Sequence, residues 1–322
     1  GAVANTRLAL HKLGITTRLC ARLGEDPLGY VLRQKIENQA AGVEDWFTSS
    51  PESSTSYTIV INPPGEDRRF VHHPGANDDF TASDVSDEAL KDVRLFHFGY
   101  PPLMAGMYLN QGEQLVSLFK RVKSHGVMTS LDMAYVDPDS PAGNADWYSI
   151  LQRVLPLVDL FVPSFDELLP MLRRERKTPV SASLLSDLSD ELMVMGAKLV
   201  LIKLGERGLY FRSHDPDTLR TLDLVFSDKS DLWGNFTAWL PCYKVDAVGT
   251  TGSGDVTIAG FIAAVLKGLP PEEALQAALA AGASSVEAAD PLSALSSWEK
   301  TWERIEAGWS RCQEPEQFIR RK

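Results

Sequence analysis

Seven residues late in the chain, Gly249-Thr-Thr-Gly-Ser-Gly-Asp255, constrain it more than any others. Three glycines in six positions free the backbone to turn several N–H groups toward one point. The stretch that follows, Val256–Lys267, places Ile258, Phe261, Ile262, Val265 and Leu266 on one face and predicts a helix. A glycine-rich turn opening a helix is an anion cradle, because unpaired N–H groups and the helix dipole both favour negative charge. The run ends in a carboxylate, which would repel a phosphate. Asp255 makes chemical sense as a base beside a phosphoryl group on its way to a hydroxyl.

Other glycine motifs fit less well. A P-loop has the spacing of Gly249 and Gly254, but Asp255 and Val256 stand where its Lys and hydroxyl belong. A dinucleotide fingerprint needs glycine at Thr257 and an early position in the chain. A plain capped helix accounts for one Gly and one Asp, not for Gly-Ser-Gly-Asp behind two threonines.

The rest of the chain reads as an α/β protein. A helix over Val3–Leu13 closes at Gly14, and a strand covers Arg18–Leu23. The turn Gly24–Gly29 launches a helix to Ala41, ended by Gly42. Tyr57–Asn62, a Pro63-Pro64-Gly65 turn and Arg69–His72 predict a hairpin. Short apolar strands then follow at Leu95–Phe98, Val127–Leu131, Leu160–Val162 and Leu199–Leu204. Between them lie helices over Leu103–Lys123 and Trp147–Leu155 and a helical region within Ser164–Met195. That alternation predicts a doubly wound, mostly parallel sheet with helices on both faces. Ser213–Trp239 reads as an exposed excursion. The Ala-rich run from Pro271 to Val286 suits either a nucleotide base or a tight helix–sheet contact. Trp298, Trp302 and Trp309 suit a packed amphipathic helix.

With 322 residues and a net charge of −11, the chain argues against nucleic acid or an anionic membrane as partner. Cys20, Cys242 and Cys312 form no CxxC pair, which suits a reduced, cytoplasmic setting. The six histidines have no metal-ligand spacing.

Gly1-Ala-Val-Ala-Asn5, Gly14, Gly24-Glu-Asp-Pro-Leu-Gly29 and Gly252-Ser-Gly-Asp255 together resemble the ribokinase-like (PfkB) carbohydrate kinases. Asp132 at a strand end, Pro163-Ser-Phe-Asp-Glu167 and Lys203-Leu-Gly-Glu-Arg-Gly208 are further echoes. The resemblance covers nearly all of residues 1–322, read as a single kinase domain with a β-hairpin lid at 55–75. It implies an ATP-dependent kinase acting on a hydroxyl of a sugar or sugar-like small molecule. A nucleoside kinase and a catalytically weak ligand-binding homologue are the competing readings. The resemblance makes Asp255 the base and the N–H groups of Gly252, Ser253 and Gly254 the hole for the transferred charge. It gives Lys203, Gly205, Thr250, Thr251 and Leu279 to the nucleotide, Asn5 and Gly1 to the acceptor, and Glu167 to Mg²⁺ through water. A homodimer joined through the lids is expected.

This chain departs from the family at four positions. Gly249 replaces an Asp that helps hold a monovalent cation, so activation by such an ion is not expected. Ser164 replaces an Asn, Arg7 a small residue and Leu279 an often polar one. The family also has a strand ending in an acceptor-binding Asp ahead of the Gly1 motif, so such a strand is expected upstream.

Overall fold

The computed structural model describes residues 2–39, 45–61, 69–222, 224–312 and 318–321. Gly1, Ala41, Gly42, Asn62 and the Pro63-Pro64-Gly65 turn lie outside them.

In chain order the strands are β1 Leu19–Gly24, β2 Asp45–Ser50, β3 Tyr57–Ile61, β4 Arg69–His73, β5 Leu95–Phe98, β6 Met128–Leu131, β7 Leu160–Phe161, β8 Leu199–Lys203, β9 Leu209–Ser213, β10 Phe236–Leu240 and β11 Phe318–Arg321. The main helices are α1 Ala2–Lys12, α2 Pro27–Gln39, α3 Ala105–Ser124, α4 Trp147–Val154, α5 Phe165–Met171, α6 Ala182–Val194, α7 Ser253–Leu266, α8 Pro271–Ser285 and α9 Trp298–Glu306.

Seven strands form one sheet in the order β11-β10-β9-β8-β7-β6-β5. β5 to β8 run parallel, and β9, β10 and β11 continue antiparallel. Alternate residues of each strand feed different cores, as the period-two pleat requires. Leu131, Phe161, Val200, Ile202 and Tyr210 pack toward α3, α4, α5 and α6. Met128, Leu160, Leu199, Leu201 and Phe211 pack toward α1, α7 and α8. The central strands are therefore apolar on both faces, and the expected doubly wound, mostly parallel architecture is present. β1 and β2 form a separate parallel pair, and β3 and β4 an antiparallel hairpin.

The early motif fastens this hairpin. The Asp26 carboxylate accepts from the N–H of Gly29 at 2.8 Å, from the N–H of Thr55 at 2.6 Å and from Thr55 Oγ1 at 2.8 Å. A Cβ on Gly24 would stand 2.5 Å from Thr55 N, and one on Gly29 would stand 2.4 Å from Gly24 O. Only glycine allows the chain entering the hairpin to lie this close. β3 and β4 themselves are exposed, with Ile59 and Val71 paired across them.

Four expectations need correction. The excursion over Ser213–Trp239 holds short helical turns and ends in β10, a fully paired strand with Phe236 and Ala238 buried. Its polar content comes from the turns around the strand. The helix expected over Leu103–Lys123 begins at Ala105 and breaks at Leu109–Gly112. There Asn110, Gln111 and Gly112 take left-handed φ of 51°, 57° and 71°. Trp309 is not on the helix of Trp298 and Trp302. It follows Gly308 and stacks on Tyr243 with ring centroids 4.6 Å apart. The Ala-rich run of α8 makes its tight contact with a helix, α7, rather than with the sheet. A Cβ on Gly260 of α7 would stand 2.7 Å from the Ala281 Cβ.

Candidate active site

The carboxyl ends of the parallel strands face one crevice, where open α/β sheets place their ligands. Tyr100 follows β5, Asp132 follows β6, Ser164 and Glu167 follow β7, and Lys203 ends β8. Backbone bonds tie these ends together. Asp132 N donates to Phe98 O at 2.9 Å, Tyr100 N to Asp132 O at 3.3 Å, and Lys203 N to Pro163 O at 2.9 Å.

The glycine-rich turn delivers the start of α7 to the same place. Gly252 caps the helix with φ 79° and ψ 2°, a left-handed conformation that costs other residues about 1–2 kcal/mol. By position, the N–H groups of the first turn have no acceptor within the helix. Ser253 also bonds back into the turn: its N–H makes a long 3.4 Å contact to Thr250 O, and its Oγ donates there at 3.0 Å.

Asp255 is 1% exposed. Asn5 Nδ2 donates to its Oδ2 at 2.9 Å, and the Tyr100 hydroxyl donates to its Oδ1 at 3.0 Å. α1, packed on α7, brings Asn5 across 250 residues of sequence. Tyr100 itself has a φ of 66°, unusual for a bulky residue. Burial, then the charges of Asp255, Asp132 and Glu167, push its phenol pKa well above the ordinary value, so the hydroxyl stays a donor.

Lys203 Nζ lies 2.6 Å from Asp132 Oδ1, with side chains 11% and 0% exposed. Burial raises the Asp132 carboxyl above the usual range, against the pull of Lys203. Burial disfavours the Lys203 ammonium, but Asp132, Glu167 and Asp255 together hold its pKa above the ordinary value. A Cβ on Gly254 would stand 3.5 Å from Lys203 Nζ, so this ammonium borders the glycine cradle.

Glu167 closes a capping box, its Oε2 accepting from Ser164 N at 2.8 Å. Among the described residues no group of three His, Cys, Asp or Glu could hold a metal unaided. Gly205, at φ 60°, opens onto free space just beyond β8. Thr250 is exposed and Thr251 partly so, both on the loop into α7. Leu279 lies in the hydrophobic core at 3% exposure rather than on an open surface. Gly249 is fitted tightly: a Cβ there would stand 2.9 Å from Ala288 O and 3.0 Å from Ala289 O.

Among the functional candidates, sequence reasoning missed Tyr100 and gave Asp132 no role. The available signal was their position directly after β5 and β6.

The sequence model of the pfkB family carbohydrate kinases matches residues 1–297. A 2-dehydro-3-deoxygluconokinase of Bacillus subtilis is 24% identical over 304 residues, covering 93% of this chain and 84% of its own. Arabidopsis thaliana ribokinase, solved with ribose and ATP, superposes with a TM-score of 0.70 at 20% identity, over 95% of this chain and 87% of its own. An E. coli protein described as a ribokinase II, solved with ATP and Mg²⁺, superposes with a TM-score of 0.72 at 23% identity, over 95% and 88%. The fold is thus the ribokinase-like one.

Proposed function

The chain belongs to the pfkB family of carbohydrate kinases, and from that premise we propose that it transfers the γ-phosphoryl of ATP to a hydroxyl of a sugar or sugar-like small molecule. The observation that carries this reading is the buried Asp255 in the first turn of α7. It is held by two neutral donors and sits beside the glycine cradle.

Phosphoryl transfer needs positioning and charge stabilisation more than covalent chemistry. In this reading the acceptor hydroxyl approaches Asp255, which takes its proton as the oxygen attacks phosphorus. The N–H groups of Gly254 and Asp255 meet the charge on the phosphoryl oxygens without reorganising. Asn5 keeps Asp255 in place and is near enough to Gly252 to reach an acceptor hydroxyl. Lys203 adds positive charge at the cradle. A bound Mg²⁺, carried by the nucleotide phosphates, would neutralise further charge there, and Glu167 is the residue placed to reach its water shell.

The exposed β3–β4 hairpin supports a second element of the proposal, a homodimer joined through these strands. Ile59, Val60, Phe70 and Val71 are all more than 40% exposed on it.

The test is a coupled assay of ADP release with MgATP against fructose, ribose, 2-dehydro-3-deoxygluconate and a nucleoside panel. Phosphorylation of a sugar or sugar acid supports the reading. Turnover with nucleosides alone, or with no acceptor at all, overturns it.

A further inference from the structure

Lys203 is a flexible four-carbon ammonium surrounded by carboxylates. Asp132, Glu167 and Asp255 all raise its pKa. Only one of them holds it: among the described residues Lys203 donates to Asp132 alone. Asp132 is fully buried, and its second oxygen, Oδ2, has no hydrogen-bond partner. A buried carboxylate with one bare oxygen is a costly feature if its only use is structural. Its position suggests another use. The strand-end bridge between Ser164 and Lys203 fixes the lysine backbone, while Asp132 fixes the ammonium next to Gly254. A lysine released from Asp132 would have Asp255 as an alternative partner. An ammonium on Asp255 would lower its basicity and occupy the place of the acceptor hydroxyl.

We propose that Asp132 is a positioning residue for phosphoryl transfer, holding the Lys203 ammonium at the phosphate cradle and off the carboxylate of Asp255. This inference rests on the kinase reading above. The charged and titratable groups around Asp132 are Lys203 on β8, Glu167 on α5, Asp255 on α7 and Tyr100 after β5. His97 on β5 also feels Lys203.

The inference separates binding from turnover. Asp132→Asn leaves the Lys203 ammonium in the site, on Asp255 next to Gly254 rather than on Asp132, so MgATP should bind nearly as tightly as before. Turnover should fall about 100-fold, the size expected for a misplaced group. The acid limb of the pH–rate profile should move to lower pH as Lys203 settles on Asp255. Lys203→Met should instead weaken MgATP binding about tenfold or more, the worth of a charge-assisted hydrogen bond.

Affinity is measured by isothermal titration with MgATP, folding by circular dichroism, and turnover with whichever sugar the wild type accepts. Equal losses of affinity and turnover in Asp132→Asn, or turnover within twofold of wild type, would overturn the inference. If Asp132→Asn does not fold, Lys203→Arg decides. It keeps the charge and the pairing but moves the donors, so it should retain affinity and lose turnover, and full turnover would refute positioning. If the wild type phosphorylates no acceptor, the kinase reading fails on its own. The titrations then still judge Asp132: retained MgATP affinity in Asp132→Asn beside lost affinity in Lys203→Met supports the arrangement, and the reverse refutes it.

Discussion

Asp255→Asn is the substitution that most directly tests the mechanism. The side chain keeps its size and stays 1% exposed, so packing around it should hold. The hydrogen bonds need rearrangement. Asn5 Nδ2 and the Tyr100 hydroxyl both donate to the native carboxylate. An asparagine offers one acceptor and one donor in their place. Its oxygen can face Asn5 while the Tyr100 hydroxyl turns to accept from its amide. One hydrogen bond is reversed and none is lost, so the stability cost should be about 1 kcal/mol. Turnover is another matter. An amide cannot take the proton from the acceptor hydroxyl, and a positioned base contributes on the order of 10²–10⁴-fold. That range is roughly 3–5 kcal/mol of barrier. Affinity for MgATP should be unchanged or higher, since a negative charge beside the phosphates is gone. The assay is steady-state ADP release with a saturating sugar acceptor, paired with titration of MgATP and a thermal melt. A variant that melts near wild type, binds MgATP and turns over within a few-fold of wild type would refute Asp255 as the base.

Gly254→Ala should fold normally, because its Cβ would meet Lys203 at an ordinary 3.5 Å. It should still lose about 100-fold in turnover by crowding the cradle; a normal rate with normal MgATP affinity would remove Gly254 from the site. With Gly249 in place of a carboxylate, K⁺ should activate weakly or not at all at fixed Mg²⁺, measured against tetramethylammonium; strong activation would mean that other oxygens form the ion site. Burial, aided by Lys203, holds the His97 pKa down at about 3, whereas an unfolded histidine titrates near 6.5. The stability from this site is therefore full above about pH 6.5 and is lost as the pH falls toward 3, and His97→Asn should flatten that part of a melting-temperature profile. Ile59→Glu with Val71→Glu, paired on the exposed hairpin, should shift a dimer to monomer in sedimentation; a wild type monomeric at all concentrations would refute the lid interface.

The parts of this molecule that could be read in the sequence are those whose physics is local. β5 falls on Leu95–Phe98 as expected because a run this short and this aromatic favours a strand over a helix. The cradle was visible for a similar reason: three glycines and the helix they start adjoin in the chain. β10 was hidden, since Phe236-Thr-Ala-Trp-Leu240 lies outside the regular strand–helix alternation, and pairing with β9 and β11 makes it a strand. The site shows the same division. Asp255 announces itself, but the donors that hold it come from Asn5 and Tyr100, which are 250 and 155 residues away. Asn5 was found through the family resemblance of the Gly1–Asn5 motif. Tyr100 and Asp132 carry only a weak local signal, their place directly after a strand, because a tyrosine or aspartate there is ordinary at a protein surface. Their meaning comes from sheet order. Once β5, β6, β7 and β8 lie side by side and parallel, their last residues must share one crevice. In that crevice a lysine and three carboxylates cannot all ignore one another. The arrangement adopted gives Lys203 to Asp132 and two neutral donors to Asp255, leaving that carboxylate, among the described residues, without an ion pair.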